Sequence, residues 1–413
     1  MNKVKKHASI KRKKKNVKLF PIYKSISWDL LFYFPIIFLF LTQVKGFSAS
    51  QVLLSDAFYT ISNTFWQIPV SRFVERLGKK NSLIVGNVLY SLSILAMIFM
   101  KNYYELLMIQ FIYALGYSIK GLCETNILYD SLPKAKKRGK LFSLIDGKSS
   151  SYFYIFDGIA SVIAGFTYTI NGYIPMFLCF LCCVVSTIIS FRFRHTVILE
   201  EKVKPVGYKE YWKQLTGSFR LFMKSKRLRC LVCFNAIFMG LIVGIVNLRS
   251  SMLTEMEVPE QYFGVIFAIL QFIAAFTSRK ADQIQSAFKN KTLSYLCVPV
   301  TVSCILIGII GKDPLSKSSL ILVCLLYSIQ YAVKGPYINL MTRYLNNFTN
   351  RMVRPKITAL KNLTSNLFTT LATILCALFL KITSTANTFI IVGCLTTISI
   401  VLLLDYMRDK VRT

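Results

Sequence analysis

Histidine is nearly absent from this chain: there are two in 413 residues, at positions 7 and 195. Neither falls in a long apolar run, which excludes a histidine proton relay there and leaves too few ligands for a metal site. Acidic residues are also scarce, 18 Asp and Glu against 51 Lys and Arg, giving a net charge of +33. No G-x-x-x-x-G-K-[ST] phosphate loop occurs, so ATP is not the energy source within this chain. A nucleophile elbow and an H-E-x-x-H motif are missing too, and nothing suggests an enzyme or a cofactor. Eleven Cys lie in or at the ends of apolar segments. Cys230 and Cys233 form a C-x-x-C, but it opens an apolar segment, and buried thiols acting as small apolar side chains are the reading. No small-residue cleavage site follows the first apolar run, which argues against a removable leader.

What the chain has in abundance is apolar sequence, 54% of it, and a mean hydropathy of +0.51. A membrane-crossing helix needs about 20 apolar residues. Twelve such runs are read at 26–44, 50–71, 81–100, 103–131, 143–169, 172–192, 229–250, 259–278, 292–311, 317–343, 356–381 and 384–405. The basic residues sort by gap. The N-terminus, every second gap and the C-terminus hold 41 of the 51. The other gaps hold Lys45, Lys101, Arg249, Lys312, Lys317 and Lys381, and Lys120, Lys148, Lys334 and Lys361 fall inside apolar runs. Cytoplasmic loops retain Lys and Arg, so the alternation predicts an even number of spans in a cell membrane with both termini cytoplasmic. The same distribution excludes a nucleic-acid partner, since the charge sits in short loops instead of one soluble basic domain. Nine Lys and Arg in the first 18 residues read as a disordered tail drawn to anionic lipid.

The predicted organisation is a basic tail (1–24), a six-helix bundle (25–192), a cytoplasmic linker (193–228), a second six-helix bundle (229–405) and a short tail (406–413). Within the linker, Tyr211, Trp212, Leu215, Phe219 and Phe222 share one helical face, which suggests a helix lying in the inner interface. The halves look like repeats. SRFVERLGKKNSL (71–83) and SRKADQIQSAFKNKTL (278–293) fill equivalent gaps, offset by 207 at the first Ser and 210 at the last Leu. Gly121 and Gly335 correspond in the same way. Two parallel six-helix repeats with a site between them make a transporter architecture.

SRFVERLGKK resembles the loop signature of the major facilitator superfamily, G-x-x-x-D-R-x-G-R-K. Ser71 stands for the first Gly, Glu75 for the Asp, Arg76 for the Arg, Gly78 for the second Gly, and Lys79 and Lys80 for the basic pair. GLCETNILYDSL (121–132) and LIDGKSSS (144–151) also resemble bacterial members. The resemblance implies an all-α membrane fold of twelve transmembrane helices in two pseudo-symmetric bundles. It implies that helices 1, 4, 7 and 10 line a central cavity, with helices 2, 5, 8 and 11 beside it.

Two groups of residues carry the expected chemistry. In the loop, Glu75 is expected to cap or pair at helix ends. Arg76 and Lys79 are expected to reach Asp130 or Asp146, and Gly78 to permit the tight turn, forming a charge cluster that gates the inward mouth. Ionisable groups inside the bilayer are costly and usually face an interior cavity. Those groups are Asp29, Lys120, Glu124 and Asp157 in the first half and Arg249 and Lys334 in the second. Lys120 and Glu124, four apart, are placed to pair on one helical face. Asp56 reads as a helix N-cap. An acidic first half suits proton exchange, because burial alternates with the transport cycle; the second-half cations suit an acidic partner or an anionic substrate.

The chain is therefore read as a monomeric secondary transporter, with a small-molecule substrate, protons and the lipid bilayer as partners. Proton-coupled export of a drug-, peptide- or metabolite-like molecule is the first reading. Proton-coupled uptake of a small polar or anionic nutrient is the second, and a non-transporting membrane sensor or scaffold on the same fold is the third.

Overall fold

Long apolar runs cut by short polar gaps give a chain whose regular elements are all helices; no strand occurs among the described residues. The computed structural model describes residues 2–133, 138–194, 223, 226–288, 292–312, 317–348 and 354–408. Nearly all of the linker, including the five apolar positions of its expected interfacial helix, lies outside them.

The chain divides into two units, Met1–Phe40 with Ser62–Val206 and Leu41–Ile61 with Gly207–Thr413. Five long helices belong to the first: α1 (Asn2–Ser27), α4 (Lys79–Phe99), α5 (Tyr103–Ser131), α6 (Arg138–Ile170) and α7 (Tyr173–Phe191). There α1 packs on α5, α6 and α7, and α4 packs on α5 and α7. A short turn of helix, α2 (Ile37–Leu39), follows α1. Next comes α3 (Ala49–Leu77), whose first residues belong to the second unit and whose remainder belongs to the first. The second unit holds α8 (Lys226–Glu255), α9 (Glu260–Arg279), α10 (Ala281–Phe288), α11 (Thr292–Ile310), α12 (Lys317–Phe348), α13 (Arg354–Ile382) and α14 (Thr385–Arg408). In it α8 packs on α13 and α14, α9 on α12, and α11 on α12 and α14.

Among the described residues ten helices, α4 to α9 and α11 to α14, are long and apolar enough to cross a membrane. The first two expected spans are not among them. The first is broken: α1 stops at Ser27, residues 28–36 are non-helical turns, and α2 runs into a π-helical turn at Phe40–Val44. Pro35 lies in the break, and Phe32 holds a φ of 66°, a left-handed conformation that a bulky side chain rarely adopts. α3 carries Asp56, Arg72, Glu75 and Arg76, which dilute its apolar content.

The basic tail departs from expectation. It is helical from Asn2, and Asn16, Phe20, Tyr23 and Lys24, which recur at helical spacing, are buried in the first unit. Asn16 explains much of this. Its amide donates to Ser131 Oγ (3.1 Å) and to the Arg194 carbonyl (2.9 Å), and its oxygen accepts from the Arg194 N–H (2.8 Å). One side chain thus ties α1 to the ends of α5 and α7.

Helix faces sort by solvent. On α6, Ile155, Phe156, Ile159, Ile163, Phe166 and Ile170 point outward and exposed, as suits a helix against lipid. The opposite face buries Phe153, Asp157, Ala160, Ser161 and Ala164.

Candidate functional site

The break after Ser27 leaves the C-terminal carbonyls of α1 without intrahelical partners, and a cation is the favoured group at such an end. Lys120 supplies it. Its ammonium donates to the Ser27 carbonyl, lies 3.4 Å from the Trp28 carbonyl, and sits 4.6 Å from the Tyr90 ring centre. Glu124, one turn further along α5, holds its Oε1 3.8 Å from that ammonium. The same oxygen accepts from the Tyr23 hydroxyl (2.8 Å) and the Ser27 hydroxyl (3.4 Å), and Tyr23 also accepts from the Asn87 amide (2.9 Å). The cluster closes tightly because α4 and α5 cross at glycines. A Cβ on Gly86 would lie 3.0 Å from the Lys120 backbone nitrogen, and one on Gly116 would lie 2.9 Å from that of Tyr90.

Asp29 sits in the break itself, half-buried, with its Oδ1 accepting from the Leu30 N–H at 2.9 Å. It is an electrostatic neighbour of Tyr90, Tyr117 and Tyr154 on three different helices, and of Asp157. Asp157 is 6% exposed, and among the described residues it makes no hydrogen bond and no ion pair. Two carboxylates thus influence one another electrostatically in the same unit as a pair, Lys120–Glu124, that is already satisfied.

The loop cluster forms only in part. Lys79 and Asp130 make an ion pair, as expected. Asp146 does not pair with Arg76 or Lys79; its partner is Lys24 of α1, at 2.5 Å, with the Lys24 ammonium 4.7 Å from the Trp28 ring centre. Glu75 and Arg76 are exposed and pair with nothing among the described residues, because the last turn of α3 points them outward. Gly78 has φ 79° and ψ 148°, a conformation essentially reserved for glycine, and its carbonyl accepts from the Ser82 N–H at 3.0 Å. Asp56 is not an N-cap. It lies well inside α3, where Ser48 fills the capping role by accepting from the Gln51 N–H at 3.2 Å.

In the second unit Arg249 of α8 is completely buried. Its guanidinium carbon is 3.6 Å from the Phe267 ring centre, and Nη1 donates to the Tyr331 hydroxyl at 2.5 Å. Lys334, one turn beyond Gln330 on α12, holds its ammonium 5.0 Å from the Tyr331 ring centre. None of the ion pairs among the described residues involves Arg249 or Lys334.

Lys24, Tyr23, Asn87 and Asn16 were not legible as site or core residues from the sequence. The signal was the helical spacing of Asn16, Phe20, Tyr23 and Lys24, masked by the charge around it.

The sequence profile of the Major Facilitator Superfamily matches residues 19–333. The chain belongs to this superfamily. No curated protein sequence matches it. Solved transporters of the superfamily's fold are similar in structure. The nucleoside transporter NupG gives a TM-score of 0.74 at 13% identity, covering 96% of this chain and 99% of that one. A bacterial homologue of the iron transporter ferroportin, in an inward-facing state, gives 0.71 at 14%, covering 96% and 98%. A D-xylose-proton symporter gives 0.68 at 11%, covering 96% and 97%. At these identities the likeness is one of fold. Membership of the superfamily makes this chain a multi-pass membrane transporter and not an enzyme, and the fold is all-α.

Proposed function

We propose that this superfamily member is a proton-coupled secondary transporter of a small molecule, with Asp157 and Asp29 carrying the coupling proton. The observation that supports it is the Asp157 carboxylate, buried on the inward face of α6, without a hydrogen bond or ion pair among the described residues and under the electrostatic influence of Asp29. A buried acid whose solvation changes between the two faces of the membrane can take up a proton on one side and release it on the other. One solved transporter of similar fold, a D-xylose-proton symporter, is in keeping with proton coupling on this fold. Lys120–Glu124 serves instead as a fixed brace of the broken first segment.

Twelve spans, a monomeric state and cytoplasmic termini in a cell membrane complete this reading, supported by the sorting of basic residues between gaps. So do the limits of the linker and of the second bundle read from the sequence. Export is the preferred direction, on the strength of the acidic first half. Arg249 and Lys334, which form no ion pair among the described residues, favour a second reading, uptake of a small polar or anionic nutrient.

The test is flux in proteoliposomes over a panel of nucleosides, pentoses, small carboxylates and lipophilic drugs, with an imposed pH gradient. Flux of at least one compound should follow the gradient, stop with a protonophore and fall at least tenfold in Asp157→Asn. Flux indifferent to both the gradient and Asp157→Asn would overturn the coupling. No flux of any compound would favour a sensor or scaffold.

A further inference from the structure

We infer that the second unit contains a subsite for an oxyanion, the carboxylate or phosphate end of the transported molecule, built from Arg249, Gln330, Tyr331 and Lys334. The inference rests on the transport reading above and names the chemical class of its substrate.

Tyr327, Gln330, Tyr331 and Lys334 follow one another on α12 at intervals of three, one and three residues, so they share one helical face. That face carries an unusual set of unused hydrogen-bonding atoms. Among the described residues both amide atoms of Gln330 are buried and unpartnered, and so is the Tyr327 hydroxyl. Across from it, Nε and Nη2 of Arg249 are buried and unpartnered as well. A buried orphan polar atom costs about 1–3 kcal/mol, and an unpaired buried cation costs more. Aromatic contact with Phe267 repays part of the cost for Arg249 but leaves two of its nitrogens without an acceptor.

The missing partner is negative, and among the described residues no carboxylate forms an ion pair with Arg249 or Lys334. Within the apolar stretches of α8, α9 and α11 to α14 the carboxylates are Glu255, Glu260 and Asp405, all at helix ends, and Asp56 of α3 is the other acid that this unit places on a long helix. Glu255 is engaged by the N–H of Thr385 at 3.3 Å and by its hydroxyl.

A small cavity of about 10 Å³ opens among these residues, walled by Ile242, Ile245, Val246 and Val300 and edged by Gln330, Tyr331 and Lys334. That is room for one water-sized group and not for a whole substrate. The site therefore suits the charged end of a molecule whose remainder lies elsewhere. Arg249 reaches it through Tyr331: a hydroxyl that accepts from a guanidinium becomes a stronger donor through its own hydrogen. Lys334 supplies the second charge and Gln330 an amide donor. Apolar walls around three donors and one acceptor, the Gln330 oxygen, favour an organic oxyanion over a neutral polyol, whose several hydroxyls would need more than one acceptor.

Equilibrium binding to the purified full chain in detergent, with no gradient, tests this. Benzoate and phenyl phosphate are the carboxylate and phosphate probes, benzamide is the neutral control, and a short-chain phosphatidylglycerol is the lipid probe. Calorimetric titration and thermal unfolding are the readouts. Benzoate, phenyl phosphate or both should bind and raise Tm. Benzamide should not, and Lys334→Gln and Gln330→Leu should each weaken binding about tenfold or more. Arg249→Gln should do the same if it folds; the two α12 variants keep the test decisive if it does not. Equal binding of benzamide, binding unchanged in both α12 variants, no binding of either anion, or binding of the lipid alone would each overturn the subsite. Proton-driven flux that survives such a result leaves the transport reading intact. Anion binding without any proton-driven flux removes the coupling reading and leaves the subsite.

Discussion

The Lys120 ammonium donates to the carbonyl of Ser27, the last helical residue of α1, from 93 positions away in the sequence. A side chain of α5 thereby ends the first helix. The same ammonium faces Glu124 at 3.8 Å, so one residue both caps a broken helix and neutralises a buried acid. Removing it strands both. Lys120→Met is expected to destabilise the chain by about 3–5 kcal/mol, the usual cost of leaving half of a buried pair. Lys120→Met with Glu124→Gln should cost less than the sum of the two single changes. Denaturant unfolding of all three variants in detergent checks the coupling, and strict additivity would show that the two charges do not act together.

Asn16 is the second point at which the N-terminal helix is held. Its three hydrogen bonds reach Ser131 and both backbone groups of Arg194. Asn16→Ala leaves the Arg194 groups without their partner and should cost about 2 kcal/mol. A cost below about 0.5 kcal/mol, the range of surface changes, would return α1 to the status of a loosely attached tail.

The loop between α3 and α4 separates backbone need from charge. Gly78 adopts φ 79°, and a Cβ there would meet nothing within 4 Å, so only backbone strain opposes a side chain. Gly78→Ala should cost about 1–3 kcal/mol of stability. Glu75→Gln, at an exposed carboxylate, should stay within about 0.5 kcal/mol. Paired unfolding measurements decide this, and a costly Glu75→Gln beside a harmless Gly78→Ala would invert the assignment.

How far the sequence could be read follows from the same contacts. The limits of α5, Tyr103–Ser131, coincide with those read from hydropathy, because Asn102 begins the helix by accepting from the Glu105 N–H and a polar gap follows its end. The break after Ser27 could not be read. WDLLFYFPIIFLF is apolar enough to pass for one span, and the residue that ends α1 lies on another helix. Lys24 was hidden for a related reason. Counted among ten basic residues of the N-terminal stretch it looks like a topology signal, yet it is buried and pairs with Asp146. Lys120 and Glu124 could be paired from their spacing alone, since four residues bring side chains together on any helix. Arg249 could be flagged as an intramembrane cation, but not its depth, nor the Phe267 ring it lies against.

Asp157 and Glu124 are both buried acids, and they should respond in opposite directions when neutralised. Glu124 holds a hydrogen bond from Tyr23 and faces Lys120, so Glu124→Gln leaves a buried ammonium without its counter-charge and should destabilise. Asp157 holds no hydrogen bond or ion pair among the described residues, and its electrostatic neighbour is another acid. Replacing it with an isosteric neutral amide removes the cost of ionising a buried acid that has no partner among the described residues. Asp157→Asn should therefore leave stability unchanged or raise it by about 1 kcal/mol, while proton-driven flux falls. Tm in detergent and flux in proteoliposomes, measured on the same preparations, give both signs. A stable, inactive Asp157→Asn beside a destabilised Glu124→Gln separates the carboxylate kept for coupling from the one kept for the fold. Destabilisation of both would make Asp157 a structural residue as well, and the proton site would have to be sought elsewhere.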